Sequence, residues 1–235
     1  MTLLNSTTRV PSRLPVAPKS IEEAARSYPG DVDLDRRFSA LPISQTYSGH
    51  AILETGKVLS TDGQRALYFG NPHGLFVPFL ADALKNGFVN HSLKILNVDF
   101  HADIDPYTEF VTCHTASWQR FGVDQGWWSV NGSFNCRPAH SNATPVSSFS
   151  PSQYIRDVPL SEALVNGPFS VVSLDLDYFI KAAQVEEALR GDFAIIEGLV
   201  SASPVTMMFS SSGWTSPEDR EVIRKISQKI WSRFQ

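Results

Sequence analysis

Cysteine is scarce: among 235 residues only Cys113 and Cys136 carry thiols. Two cysteines outside any Cys-x-x-Cys pair cannot build a disulfide framework, so a stapled secreted fold is excluded. A surplus of positive charge is missing too. Twenty Lys and Arg stand against 24 Asp and Glu, a formal charge of −4 that gives no electrostatic footprint for a nucleic-acid backbone. No stretch approaches the ~20 apolar residues of a membrane span, and the opening MTLLNSTTRVPSRLP lacks an apolar signal core. These absences predict a cytoplasmic protein with neither nucleic acid nor membrane as partner. What remains is ordinary globular material, 42% hydrophobic and 19% charged, enough for a sizeable core.

Residues 1–45 differ from the rest. Pro11, Pro15, Pro18, Pro29 and Pro42 interrupt them, and only a helix beginning at Ile21, capped by Ser20, is expected there. They read as an extension that wraps the surface or forms a lid, and residues 46–235 as one α/β domain. From Gly49 onward, apolar runs alternate with turn signals. Ala51–Glu54 and Ala66–Phe69 read as strands, and 74–86 reads as a helix closed by Gly87. Leu93–Phe100 (LKILNVDF) and Phe169–Leu176 (FSVVSLDL) are nearly continuous apolar runs, which suits strands buried on both faces of a parallel sheet. Helices are expected over 180–190, 193–201 and 217–234, with a further strand at Val205–Phe209. The fold class is α/β, a three-layer α/β/α sandwich with a mainly parallel sheet. Residues 122–152 show no period and read as one long irregular loop, whose Trp127, Trp128, Phe134 and Phe149 either pack in the core or line a groove.

The chemistry concentrates at the ends of the two apolar runs. Asp99, His101 and Asp103 stand at i, i+2 and i+4, on one face if the chain stays extended. Asp175 and Asp177 repeat the i, i+2 spacing. A single Asp after a strand is ordinarily a cap or turn former. Four carboxylates gathered in a partly buried site, however, would repel and pay a large desolvation cost unless protons or a cation held them. Oxygen-rich ligands with one or two imidazoles suit Mn2+ or another divalent first-row metal. His73, in the corner Gly70-Asn71-Pro72-His73-Gly74, is a candidate extra ligand.

Asp99-Phe-His101-Ala-Asp103 with Ser173-Leu-Asp175-Leu-Asp177 resembles the paired metal motifs of the arginase/deacetylase (ureohydrolase) superfamily. The likeness covers roughly residues 66–120 and 168–180. It implies a binuclear Mn2+ site in which His73, Asp99, Asp103 and Asp175 hold one ion and Asp99, His101, Asp175 and Asp177 the other. It also implies that Asp103 orients an attacking hydroxide and that His114 shuttles a proton to the leaving amine. As a residue alone, His114 reads equally as an exposed loop histidine.

Departures from the family refine the expectation. Asp103 is present, which favours the two-metal hydrolases over the deacetylases. Asn71-Pro72 precedes His73 where Gly-Asp is usual, and Tyr178-Phe179 follows Asp177 in place of Asp-Pro. No acid follows Val205–Phe209 until Glu218, which either grips the guanidinium or is simply a favourable helix N-terminal acid. Asp105 stands where arginases carry an Asn that helps bind a free α-carboxylate, and a carboxylate there would repel it. These features are most similar to a short peptide arginase group, implying an arginine-containing peptide as substrate and ornithine and urea as products. A free small-molecule amidinohydrolase, a metal-dependent deacylase and a non-catalytic metal-binding module stay open. The sequence is silent on oligomeric state.

Overall fold

Strands and helices alternate through most of the chain. The structure, a computed structural model, describes residues 20–26, 28, 32–41, 43–45, 51–105, 117–138, 151–179, 186–210 and 217–235. The strands are β1 (Ile43–Gln45), β2 (Ala51–Leu53), β3 (Gly56–Leu59), β4 (Ala66–Gly70), β5 (Ile95–Val98), β6 (Ser133–Cys136), β7 (Arg156–Asp157), β8 (Val171–Asp175) and β9 (Val205–Phe209). The helices are α1 (Ile21–Arg26), α2 (Phe76–Lys85), α3 (Trp118–Asp124), α4 (Leu160–Asn166), α5 (Glu186–Ala202) and α6 (Pro217–Trp231). Seven strands form one sheet in the order β3-β4-β9-β8-β5-β6-β7, parallel throughout except for the β3–β4 pair. A separate antiparallel ribbon joins β1 to β2.

The two-residue period of the strands sorts their side chains into two cores. Tyr68, Ile95, Val171, Val205 and Met207 meet α1, α2 and Trp118 on one face. Leu67, Phe69, Leu96, Val98, Val172, Leu174 and Met208 meet α4, α5 and α6 on the other. Helices therefore cover both faces, and the three-layer α/β/α architecture stands as expected. Burial on both sides is why these strands read as unbroken apolar runs.

Three expectations change. Residues 122–152 are not one irregular loop, because β6 lies within them, between β5 and β7 in the sheet. Its sequence Ser-Phe-Asn-Cys alternates polar and apolar residues, yet all four are buried, since Ser133 and Asn135 enter an internal hydrogen-bond network. The break expected near residue 191 is absent: α5 runs through Gly191 as a single helix, and a mid-helix glycine costs only about 1 kcal/mol. An additional strand, β3, forms between the two expected ones and pairs with β4 from Gly56↔Phe69 to Leu59↔Ala66. Residues 139–150 with Phe149, and 180–185, lie outside the described residues. Trp128 and Phe134 are buried in the two cores, and Trp127 packs against the first. Among the described residues no helix is long and apolar enough to cross a membrane.

Candidate metal centre

Sheet register brings the acidic motifs together before any side chain is considered. Gly70 and Asp175 both pair with Phe209, and Val98 pairs with Leu174. Asp99 is thus level with Asp175, on the neighbouring strand, at the carboxyl edge of the sheet. β4 ends at Gly70, and a cis Asn71–Pro72 peptide leads into a 3-10 turn, His73–Leu75, at the head of α2. That turn buries His73 between the rings of Phe209 and Trp118, at centroid distances of 4.3 and 5.3 Å.

Beyond β5 the chain does not stay extended, so simple alternation does not place Asp99, His101 and Asp103. The backbone turns, and Asp103 adopts a left-handed φ of 50°. The turn is pinned from within: the amide of His101 donates to Asp99 Oδ1 at 2.7 Å, and that of Phe100 to Asp177 Oδ1 at 3.2 Å. Beyond β8, a 3-10 helix over Leu176–Phe179 carries Asp177, whose amide donates to Asp175 Oδ1 at 3.2 Å.

Around Nδ1 of His73 lie three carboxylate oxygens: Asp103 Oδ2 at 2.9 Å, Asp99 Oδ2 at 3.3 Å and Asp175 Oδ2 at 3.3 Å. Nδ1 of His101 lies 2.9 Å from Asp177 Oδ2 and 3.6 Å from Asp99 Oδ1. Two triads that could each hold a metal ion result, His73–Asp99–Asp103 and Asp99–His101–Asp177, with Asp99 common to both. All four carboxylates are buried, whereas the His101 side chain is 56% exposed and forms the solvent side of the cluster.

Burial sets the electrostatics. It pushes Asp103 up to about 7, with the Asp99 charge adding to the effect. Burial and the charges of Asp175 and Asp99 hold Asp177 well above the usual carboxylate range, and burial raises Asp175. Burial would raise Asp99 as well, but its close pairing with His101 and His73 outweighs it and keeps Asp99 below its ordinary value. Pairing with Asp177 and Asp99 lifts His101 to about 11. His73 rises well above its usual value: burial opposes its charge, but the surrounding Asp103, Asp175 and Asp99 prevail. Without a cation, the cluster is held together by protons.

The donors fit divalent cations. Nε2 of His73 lies 2.9 Å from Ser173 Oγ. If Nε2–H donates there, the Nδ1 lone pair points at three anionic oxygens. Nδ1 is buried and, among the described residues, makes no well-aligned hydrogen bond. A cation between the ring and the carboxylates satisfies all four atoms, and oxygen with imidazole is the donor set of Mn2+ and related ions.

All six residues expected as ligands therefore converge. Asp105 lies half-buried two residues past Asp103 and outside both triads. His114 lies outside the described residues, as does the side chain of Glu218, which sits in the first turn of α6. After β9 the chain passes to Ser210, whose hydroxyl accepts from the Leu53 amide at 3.1 Å. Two contributors escaped the sequence reading. Trp118 Nε1 donates to Asp103 Oδ2 at 2.6 Å, and Asn97 Nδ2 donates to Asp99 Oδ2 at 3.1 Å. Asn97 had one visible signal, as the lone amide within an apolar strand; Trp118 had none.

Neither family models nor curated protein sequences match this chain. Solved structures do. The fold is similar to that of proclavaminate amidino hydrolase from Streptomyces clavuligerus, with a TM-score of 0.50 and 17% identity over 72% of this chain and 65% of that one. It is similar in the same degree to a variant of Trypanosoma cruzi formiminoglutamase with Mn2+, at a TM-score of 0.50 and 16% identity over 72% and 63%. The chain thus spans just under two thirds of the length of either protein. The architecture is the arginase-like α/β/α fold, carrying a candidate metal-binding group of His and Asp at the carboxyl edge of its sheet.

Proposed function

We propose that this chain is a binuclear, manganese-dependent ureohydrolase that cleaves the guanidinium group of arginine side chains in a peptide, leaving ornithine and releasing urea. The observation that carries the reading is the pair of triads sharing Asp99. One ion would be held by His73 Nδ1, Asp99, Asp103 and Asp175, the other by Asp99, His101 Nδ1, Asp175 and Asp177. Bound there, the ions would supply Lewis acidity and make water acidic enough to ionise near neutral pH. Two cations side by side need shared anionic ligands to offset their repulsion, and Asp99 and Asp175, at the ends of adjacent strands β5 and β8, would serve.

The protein's own groups do the rest. Asp103 Oδ2, fixed by the Trp118 indole, is an acceptor held in one orientation, where it would orient the attacking hydroxide. His101, on the solvent side, faces the approach of substrate. Water adds across the guanidinium carbon, the C–N bond to the side chain breaks, and the leaving nitrogen departs as ornithine's ammonium. His114 is the proposed proton donor to it. Asp105 would repel a free α-carboxylate, which favours a peptide over free arginine. The similarity to an amidino hydrolase fold keeps a free small guanidine as the second reading.

The test is mass spectrometry of an arginine-containing peptide after incubation with the Mn2+-loaded protein, beside free arginine and agmatine assayed for urea. The proposal expects a loss of about 42 Da per arginine on the peptide alone, abolished in Asp99→Ala. Urea from the free amines with an unchanged peptide moves the protein to small-molecule substrates. No product in any arm overturns ureohydrolysis.

A further inference from the structure

Behind Asp99 lies a run of amides that no metal ligand set requires. Asn97 sits on β5 with no exposed surface, and its Nδ2 donates one proton to Asp99 Oδ2 and the other to Asn135 Oδ1, each at 3.1 Å. Asn135, equally buried on β6, receives a second donor at the same oxygen from Gln119 Nε2 at 3.3 Å and passes its own Nδ2 proton to Asp157 Oδ1 at 3.0 Å. Asp157 also accepts from Arg137 Nη2 at 2.9 Å, on the wall of a cavity of about 460 Å3. Gln119 is held in turn by Ser133 Oγ at 2.9 Å and anchors the Ala102 carbonyl at 2.9 Å.

The direction of donation along this chain is fixed. Asp157, doubly held, accepts from Asn135, so Asn135 must present its oxygen to Asn97. Asn97 is thereby set with both protons used, one of them aimed at Asp99. Its own Oδ1 is buried and finds no partner among the described residues, the cost of that orientation. A buried amide held at such expense, in a strand otherwise apolar, calls for a reason other than stability.

We infer that Asn97 and Asn135 are positioning residues that fix the carboxylate of Asp99, the ligand common to both triads, through a hydrogen-bonded line running from the metal centre to Asp157 and Arg137. The inference rests on the metal reading above. Outer partners of metal ligands orient the ligand, and their loss weakens binding by about 10- to 100-fold. Asn97 acts directly on Asp99. Asn135 touches no candidate ligand and acts only by setting Asn97.

The experiment titrates Mn2+ alone into the wild-type chain and into Asn97→Leu, Asn135→Leu and, as a buried control on α6 outside this network, Ser227→Ala. Affinity and stoichiometry are read by calorimetry, and the exchange-coupled signal of the Mn2+ pair by electron paramagnetic resonance at saturation. Leucine nearly matches asparagine in shape and removes the donor. The result expected is two ions per wild-type chain and an affinity about 10- to 100-fold lower in both Asn variants. The coupled signal should be altered in both Asn variants, while Ser227→Ala stays as wild type. A role in folding alone would not change the coupled signal of a saturated, folded variant. Wild-type affinity and signal in Asn97→Leu and Asn135→Leu, with metal bound normally, overturn the positioning role while leaving the metal centre intact. Loss of folding in both Asn variants overturns it in favour of a structural one. A wild-type chain that binds no Mn2+ overturns the metal reading and this inference with it.

Discussion

Oδ2 of Asp103 is shared between two rings: the Trp118 indole donates to it at 2.6 Å, and Nδ1 of His73 lies 2.9 Å away. The indole also stacks on Phe76, with centroids 3.8 Å apart, so its N–H cannot swing away from the carboxylate without disturbing the core. A tryptophan in the hydrophobic interior thus fixes an acid in the polar site.

Removing that donor while keeping an aromatic ring tests the link. Trp118→Phe should weaken Mn2+ binding by about 10-fold or more, because an oriented ligand becomes a loose one. It should also cost about 2 kcal/mol or more of stability, from a lost hydrogen bond to a charged group and a partly emptied site. A calorimetric titration and a urea unfolding curve measure both. Unchanged Mn2+ affinity would contradict the assigned role of Trp118.

Asp99 belongs to both triads, whereas His101 belongs to one. Asp99→Ala should therefore strip both ions, and His101→Ala should leave a chain that keeps one. Metal analysis of desalted protein gives the count directly. Two ions retained by Asp99→Ala would refute the shared-ligand arrangement.

The protons that replace the metal fix a pH dependence. Asp103 titrates near 7 in the folded chain, against 3.8 as its ordinary value, and Asp175 and Asp177 are raised as well. The unfolded chain gives up these protons first, so raising the pH from the ordinary carboxylate range through about 7 favours unfolding. His73 and His101, both raised above 6.5, act in the same sense: their contribution is full below that value and is lost as pH climbs toward the folded ones, about 11 for His101. The lowered Asp99 loses its contribution only in acid, outside this window. Chelator-treated protein should therefore melt at progressively lower temperature between about pH 5 and pH 9. Mn2+ should protect increasingly over the same range, since binding displaces protons. A melting temperature that rises with pH in chelator would rule out this account.

Gly122 lies in α3 against Trp128, and a Cβ there would overlap the six-membered part of the buried indole. A rigid ring packed among Phe76, Trp118 and Trp127 has little room to retreat. Gly122→Ala should cost about 1–3 kcal/mol despite the better helix propensity of alanine. Chemical denaturation reads the sign at once, and a gain in stability would show that the ring can shift.

What the sequence disclosed followed from how locally each element is specified. β5, β8 and β9 are buried on both faces, so their apolar runs announced them, and the motifs at the ends of β5 and β8 announced the acidic cluster. β6 was hidden because Asn135 and Ser133 satisfy their polarity through partners distant in sequence. β7 offers only two exposed residues, Arg156 and Asp157, and no hydrophobic signal at all. Gly191 mimicked a helix stop that packing overrides. In the site, the two motifs and the corner before α2 picked out six residues that the fold brings together. The partners that orient them did not show, because Trp118 and Asn135 reach the cluster only through the fold.

The positive φ of Asp103 restricts which residues that position can accept. Left-handed backbone is tolerated by Gly, Asn and Asp and resisted by most other L-residues. An alanine or glutamate there would alter the main-chain path and the ligand together, so a dead Asp103→Ala enzyme would say little about charge. Asn is the informative exchange: it keeps the backbone preference and the shape and removes only the anion. The same restriction confines any natural drift at this position to a few residue types, for reasons of chain geometry as much as of chemistry.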